Sequence, residues 1–189
     1  MALKADKTIL PAGVCLFSIL CLLFWAGCQD PVDPKKDAFD RQALSGKLPD
    51  RIIVHLYFSD SDDSFLISEE RSLAAGMHPE ALGVQIINAL LEGPQQTLER
   101  TIPGGTVLRG FYILPNRTAY VDLSREIREH HPRGARSELM TIYSLVNSLI
   151  LNIPEIETVK ILIEGKEETT LAGHVDLRFP LRANMLFVR

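Results

Sequence analysis

The chain has 189 residues, 46% of them hydrophobic, a net charge of −4 and three cysteines. Its mild acidity argues against a nucleic-acid partner and against electrostatic adhesion to anionic lipid. The cysteines are Cys15, Cys21 and Cys28, so everything downstream lacks a disulfide, a thiol nucleophile and a thiolate metal site.

Lys4 and Lys7 precede an apolar run over residues 14–26, shorter than the roughly twenty residues a membrane-spanning helix needs. A basic start, a short apolar middle and the small residues Ala26 and Gly27 describe an export signal. With Cys28 next, the segment resembles the lipobox of bacterial lipoproteins, although Trp25 stands where that family most often has an aliphatic residue. The resemblance implies cleavage after Gly27 and acylation of Cys28, so that 1–27 is a lipoprotein signal peptide. More than one acyl chain gives stable anchoring. An export signal with an incidental Cys28, or an uncleaved anchor, is the alternative. Residues 28–50, rich in proline and charge, then read as the acylated cysteine and a flexible linker with an end-to-end distance of about 26 Å.

Residues 51–189 have the size of one domain with its own core. RIIVHLYF (51–58) alternates as a strand, and because both its faces are largely apolar it is expected in the middle of a sheet. A polar turn and FLISEERSL (65–73) complete a hairpin. Pro79 opens a helix that Gly93 and Pro94 close, with Leu82, Ile86, Ala89 and Leu90 at helical spacing. A second hairpin spans 106–123. Ser124 is placed to cap a short helix ending before Pro132. A longer helix is expected over 137–152, with Leu139, Ile142, Tyr143, Val146, Leu149 and Ile150 as its buried stripe. TVKILIEG is a strand, followed by a short one near Thr170 and an apolar C-terminal stretch. The pattern predicts an α+β single domain, a mixed or antiparallel β-sheet with two main helices packed on it.

The candidate chemistry is thin. DSDDS (60–64) fails as an EF-hand loop because Phe65 and Arg71 stand where the required Gly and Glu belong, and it reads as a turn bonding its own backbone. Glu69, Glu70 and Asp122 offer carboxylates, but Glu69 and Glu70 point to opposite faces of a strand. Glu70 and Asp122 are kept as possible binding residues. The five histidines follow no metal-ligand spacing, and there is no G-x-S-x-G elbow. The expectation is no catalytic residue, no metal and no cofactor.

Several phrases in order resemble the GerMN domain of sporulation and spore germination, found on bacterial envelope lipoproteins. They are IVHLYFSDSDDSFLISEER, ALLEGP, IPGGT, AYVDLSREI, SLVNSL with PEIETVKILIEG, and LAGHVDLRFPL. The resemblance covers about residues 51–181 and implies an α+β domain without catalytic residues, acting in the cell envelope. The expected function is a membrane-tethered, non-catalytic binding or assembly module on the extracytoplasmic side, linked in spore formers to sporulation or germination. A peptidoglycan-binding or peptidoglycan-acting protein is the alternative. The expected partners are membrane lipid through Cys28 and either an envelope protein or peptidoglycan. The tail RANMLFVR runs past the familiar end of the family and is expected mainly to complete the core.

Overall fold

The computed structural model describes residues 50–189, and the signal peptide, Cys28 and the linker up to residue 49 lie outside the described residues. In chain order the elements are β1 (Arg51–Ser59), β2 (Leu66–Ala74), α1 (Pro79–Glu92), β3 (Leu108–Ile113), β4 (Thr118–Leu123), α2 (Glu126–Glu129), α3 (Ala135–Asn152), β5 (Thr158–Ile163), β6 (Lys166–Glu167) and a 3₁₀ turn (Met185–Phe187). They form an α+β domain with two sheets, the hairpin β1–β2 and the mixed sheet β3-β4-β5-β6.

The first hairpin follows from its turn and its alternation. Asp60 Oδ1 accepts from the Ser64 and Phe65 amides at 2.6 and 3.2 Å, and Asp63 takes a left-handed φ of 53°. The acidic run thus bonds its own backbone, as aspartate in turns tends to do. Val54, Leu56 and Phe58 point inward and are buried. The strand is not in the middle of a sheet, however, because among the described residues β2 is the only strand it pairs along its length.

Its other edge is closed by side chains of α3. Ser144 Oγ donates to Tyr57 O (2.5 Å), Tyr57 N donates to Ser148 Oγ (3.0 Å), and His55 N donates to Asn152 Oδ1 (2.9 Å) while Asn152 Nδ2 donates to His55 O (2.7 Å). Positions 144, 148 and 152 share one helix face, so hydroxyl and amide groups stand in for a missing strand. At the end of the strand, Ser59 and Glu99 exchange backbone bonds. The apolar outer residue that suggested a central strand, Tyr57, is covered instead by Met140 and the C-terminal tail.

The helix α3 is accordingly more than an amphipathic surface helix. Of the predicted stripe, Ile142, Val146 and Leu149 are buried in the main core with Leu145, whereas Leu139, Tyr143 and Ile150 are only partly buried. Thr141, Ser144, Asn147 and Ser148 are buried too, because α3 meets both sheets and the C-terminal tail. Each has a hydrogen-bond partner, which is what makes such burial tolerable.

The helix α1 begins at Pro79 and stops at Gly93, whose φ of 94° suits glycine and whose amide bonds Leu90 O. It lies close on β3, since a Cβ on Gly83 would fall 2.2 Å from the Phe111 ring. The hairpin β3–β4 carries a bulge between Leu108 and Gly110. The strand β5 joins β4 in parallel, which requires the crossover that α2 and α3 supply. Ser124 does not cap α2 as expected, and its hydroxyl accepts from the Val107 amide at 2.9 Å.

The tail divides its apolar residues. Phe187 stacks on Tyr143 with ring centroids 4.8 Å apart, and Val188 bridges Leu66. Met185 and Leu186 face solvent, Leu186 at 85% exposure, so only half of the tail completes the core.

Candidate functional site

The carboxylates singled out in the sequence occupy three different settings. Glu69 is buried, paired to the Arg71 guanidinium, and Oε2 accepts the amides of Gln95 and Gln96 at 2.9 and 2.8 Å. Burial by itself would raise its pKa, and the Arg71 and backbone hydrogen bonds outweigh it and hold the carboxyl below the usual value. Its role is to fix the loop after α1. Glu70, the next residue, faces solvent on the outer side of the hairpin opposite His55.

The Glu70 backbone is more informative than its side chain. Because His55 and Tyr57 direct their backbone groups at α3, antiparallel alternation turns the groups of their partners Glu70 and Ser68 away from β1. Leu66 O at one end of this edge receives the Arg189 amide, and Ser72 O at the other receives Arg51 Nη2. No described residue pairs with the outward backbone groups of Ser68 and Glu70 between them. This is an open strand edge, bounded at both ends.

Asp122 lies on the outer face of β4, in the other sheet. Oδ1 accepts the Gly165 amide at 2.7 Å and Oδ2 meets Arg109 Nε at 3.2 Å, while Arg109 Nη1 reaches Glu164 Oε2 at 3.4 Å. The three side chains remain 45% (Arg109), 14% (Asp122) and 41% (Glu164) exposed. Glu70 and Asp122 stand on different sheets and do not form a carboxylate pair across a cleft. Asp122 instead belongs to an ion cluster at a strand junction.

Sequence reasoning missed the most heavily bonded group, Glu138. Its carboxylate is fully buried and accepts the amides of Leu171, Ala172, His174 and Val175 at 2.9–3.1 Å, plus His174 Nδ1 at 3.0 Å. Burial pushes its pKa up, but the backbone amides and the His174 ring overcome that and keep it below the usual carboxylate range. Nearby, Arg133 N donates to His131 Nδ1, which leaves Nε2 to carry the proton and donate to Thr141 Oγ1. Burial holds this imidazole below its ordinary pKa, against the opposing pull of the Glu138 charge. Lys160 is buried likewise, its amine on Leu177 O, Arg178 O and Glu167. The one sequence signal among them was Lys160, a charged residue within the apolar strand TVKILI.

The clefts lie elsewhere, the widest of those described, about 440 Å³, beside Asn88, Leu91 and Val107. One of about 260 Å³ opens beside Asp63, Glu99, Arg100 and Ser137, and one of about 330 Å³ beside Arg128, Arg133 and Glu168. Neither is lined by Glu70 or Asp122. Among the described residues no group of three histidine, cysteine or acidic side chains is placed to hold a metal, and no helix is long and apolar enough to cross a membrane.

The comparisons agree with this architecture. Residues 55–169 match the family Germane, described as sporulation and spore germination. A crystal structure of a candidate lipoprotein from Clostridium perfringens is similar at 27% identity and a TM-score of 0.52, over 70% of this chain and 87% of that one. The tandem GerMN domains of the sporulation protein GerM from Bacillus subtilis are similar in fold at 18% identity and a TM-score of 0.58, over 70% of this chain and 46% of that one. The first GerMN domain of the same protein matches at 19% identity and a TM-score of 0.52, over 69% of this chain and 93% of that one. No curated protein sequence matches significantly. By the match over residues 55–169, the chain belongs to the Germane family of sporulation and spore germination domains.

Proposed function

We propose that this protein is a cell-envelope lipoprotein, held to a membrane through acylated Cys28, whose domain on the extracytoplasmic side is a non-catalytic binding and assembly module for another envelope protein. In a spore former that assembly would serve sporulation or germination. The observation that carries the reading is the contrast between the two edges of the first hairpin. The β1 edge is closed by α3, while the β2 edge stays open at Ser68 and Glu70. Open edges invite pairing with another chain, and proteins that do not use them usually blunt them. The deeply buried carboxylates Glu69 and Glu138 are engaged in holding loops, which fits a scaffold better than a reaction centre.

A photo-crosslinking amino acid at Glu70 in living cells is expected to capture a defined partner. Ser68→Pro removes one outward amide at the edge, where proline is tolerated, and should abolish that crosslink while shifting the melting temperature by no more than about 3 °C. An undiminished crosslink in the proline variant would show that the edge is not the interface. For the tether, Cys28→Ser is expected to move the protein out of the membrane fraction with its domain still folded. Retention in the membrane would mean that residues 14–26 are an uncleaved anchor.

A further inference from the structure

The outer face of β3 and β4 holds an arrangement that the assembly reading does not use. Tyr112 is 63% exposed, and its ring leans back along the strand over Gly110, where a Cβ would fall 2.9 Å from Cε2 and 3.0 Å from the hydroxyl. Only glycine lets the ring settle there. One side of the ring rests against backbone and the other is open to water. Tyr120 is directly opposite Tyr112 in register and half-buried, so a second aromatic group extends the same face. Gly110 pairs with Asp122, which brings the hydroxyl end of Tyr112 beside the cluster of Arg109, Asp122 and Glu164.

We propose that this face is a carbohydrate-binding surface, with the open side of Tyr112 as a stacking platform and Arg109, Asp122 and Glu164 as the groups that read hydroxyl and acetamido substituents. A pyranose ring presents a face of polarised C–H bonds, which suits the electron-rich face of an aromatic ring. Around its rim it carries groups that both donate and accept hydrogen bonds. The cluster offers both complements: guanidinium N–H donors and carboxylate acceptors, already oriented by their mutual ion pairs and by the Gly165 and Arg125 amides. An anionic ligand is a poorer match, since the cluster holds two carboxylates against one guanidinium. The occupant is therefore a neutral stretch of glycan, and the edge position of β3 in its sheet leaves room for a polymer to continue on either side.

The surface lies on a different sheet from the Ser68–Glu70 edge, so this inference stands apart from the assembly reading. The test is saturation-transfer NMR on the full chain in detergent, with the β-1,4-linked tetramer of N-acetylglucosamine as probe, alongside sedimentation with isolated peptidoglycan. The wild type is expected to bind both. Tyr112→Ala should weaken tetramer binding at least about tenfold, of the order that stacking on one aromatic ring provides, and Tyr112→Phe should stay within about threefold because the ring is what matters. Melting curves of both variants should overlay the wild type. Absence of saturation transfer to the tetramer, or equal transfer in wild type and Tyr112→Ala, overturns the proposal. So does binding in Tyr112→Ala that a peptide competes away. Loss of the Glu70 crosslink with tetramer binding intact would remove the assembly reading alone.

Discussion

Glu138→Ala is expected to destabilise the domain by about 3–5 kcal/mol and to lower its melting temperature by roughly 10–15 °C. The carboxylate is fully buried and is the common acceptor for four backbone amides of the 171–175 segment and for the His174 ring. Alanine leaves those amides without an acceptor in a place water does not reach, and each orphan costs about 1–3 kcal/mol unless the segment lets go. It will let go, so the loss should appear first as fast hydrogen exchange at residues 171–175 while β5 and α3 remain protected. The pH dependence has a definite sign. The native pKa of Glu138 lies below the ordinary 4.5, so its contribution is present above about pH 4.5 and is lost as pH falls through the native value. The gap in urea midpoint between wild type and Glu138→Ala should therefore be largest at pH 7 and narrow below pH 4.5. The native pKa of His131 also lies below its ordinary 6.5, so its neutral burial is without penalty above about pH 6.5 and costs stability as pH falls from there. That loss should be seen in both proteins. A gap of constant size from pH 7 to pH 3 would mean that Glu138 contributes only packing.

The two hairpins and α1 were legible in the sequence because their signals are local. Asp60 turns the first hairpin with its own side chain, and Pro79 and Gly93 punctuate α1 within a residue of where it starts and ends. The parallel pairing of β4 with β5 was not legible, since it depends on the chain returning across the crossover of residues 124–157 rather than on any pattern inside either strand. The same limit explains β1. Apolar residues on both faces imply two covered faces, which was right for Tyr57, but they say nothing of what closes the edge. The closing groups sit on α3, at serine and asparagine positions outside the apolar stripe by which that helix was read. Periodicity registers hydrophobicity, whereas these positions are buried because they are polar. Of the two carboxylates kept from the sequence, Asp122 was identified as chemistry but not placed. Its neighbours Arg109 and Glu164 come from different strand ends, and the glycine under Tyr112 has meaning only once the ring is seen to lie on it. Glu138 was passed over because a single glutamate in a helix N-terminal turn is ordinary in sequence and exceptional only in burial.

The closing of the β1 edge leads to the second large effect, at Asn152. Its amide satisfies both a donor and an acceptor of a single β1 residue, accepting from His55 N and donating to His55 O, with a further bond to Ser148 O at 2.7 Å. Asn152→Asp keeps the shape and the acceptor but replaces the donor by a second oxygen, which then faces two carbonyl oxygens. The expected cost is about 2–4 kcal/mol, the sum of two lost hydrogen bonds and the repulsion that replaces them. Asn152→Leu leaves the same two His55 groups unpaired without adding repulsion, and should cost about 2–3 kcal/mol. The two variants should differ in pH response as well, because protonating the new aspartate restores a donor: Asn152→Asp should recover part of its loss near pH 3–4 relative to Asn152→Leu, after the common acid destabilisation is subtracted. Both should expose the β1 edge between Ile53 and Tyr57 next to the apolar Ile52 and Ile53, which are already 37% and 55% exposed, and so form dimers or larger species detectable by light scattering at concentrations where the wild type stays monodisperse. If instead both variants unfold as the wild type does and scatter no more light, the helix side chains are bystanders and the β1 edge is protected by the packing of α3 alone.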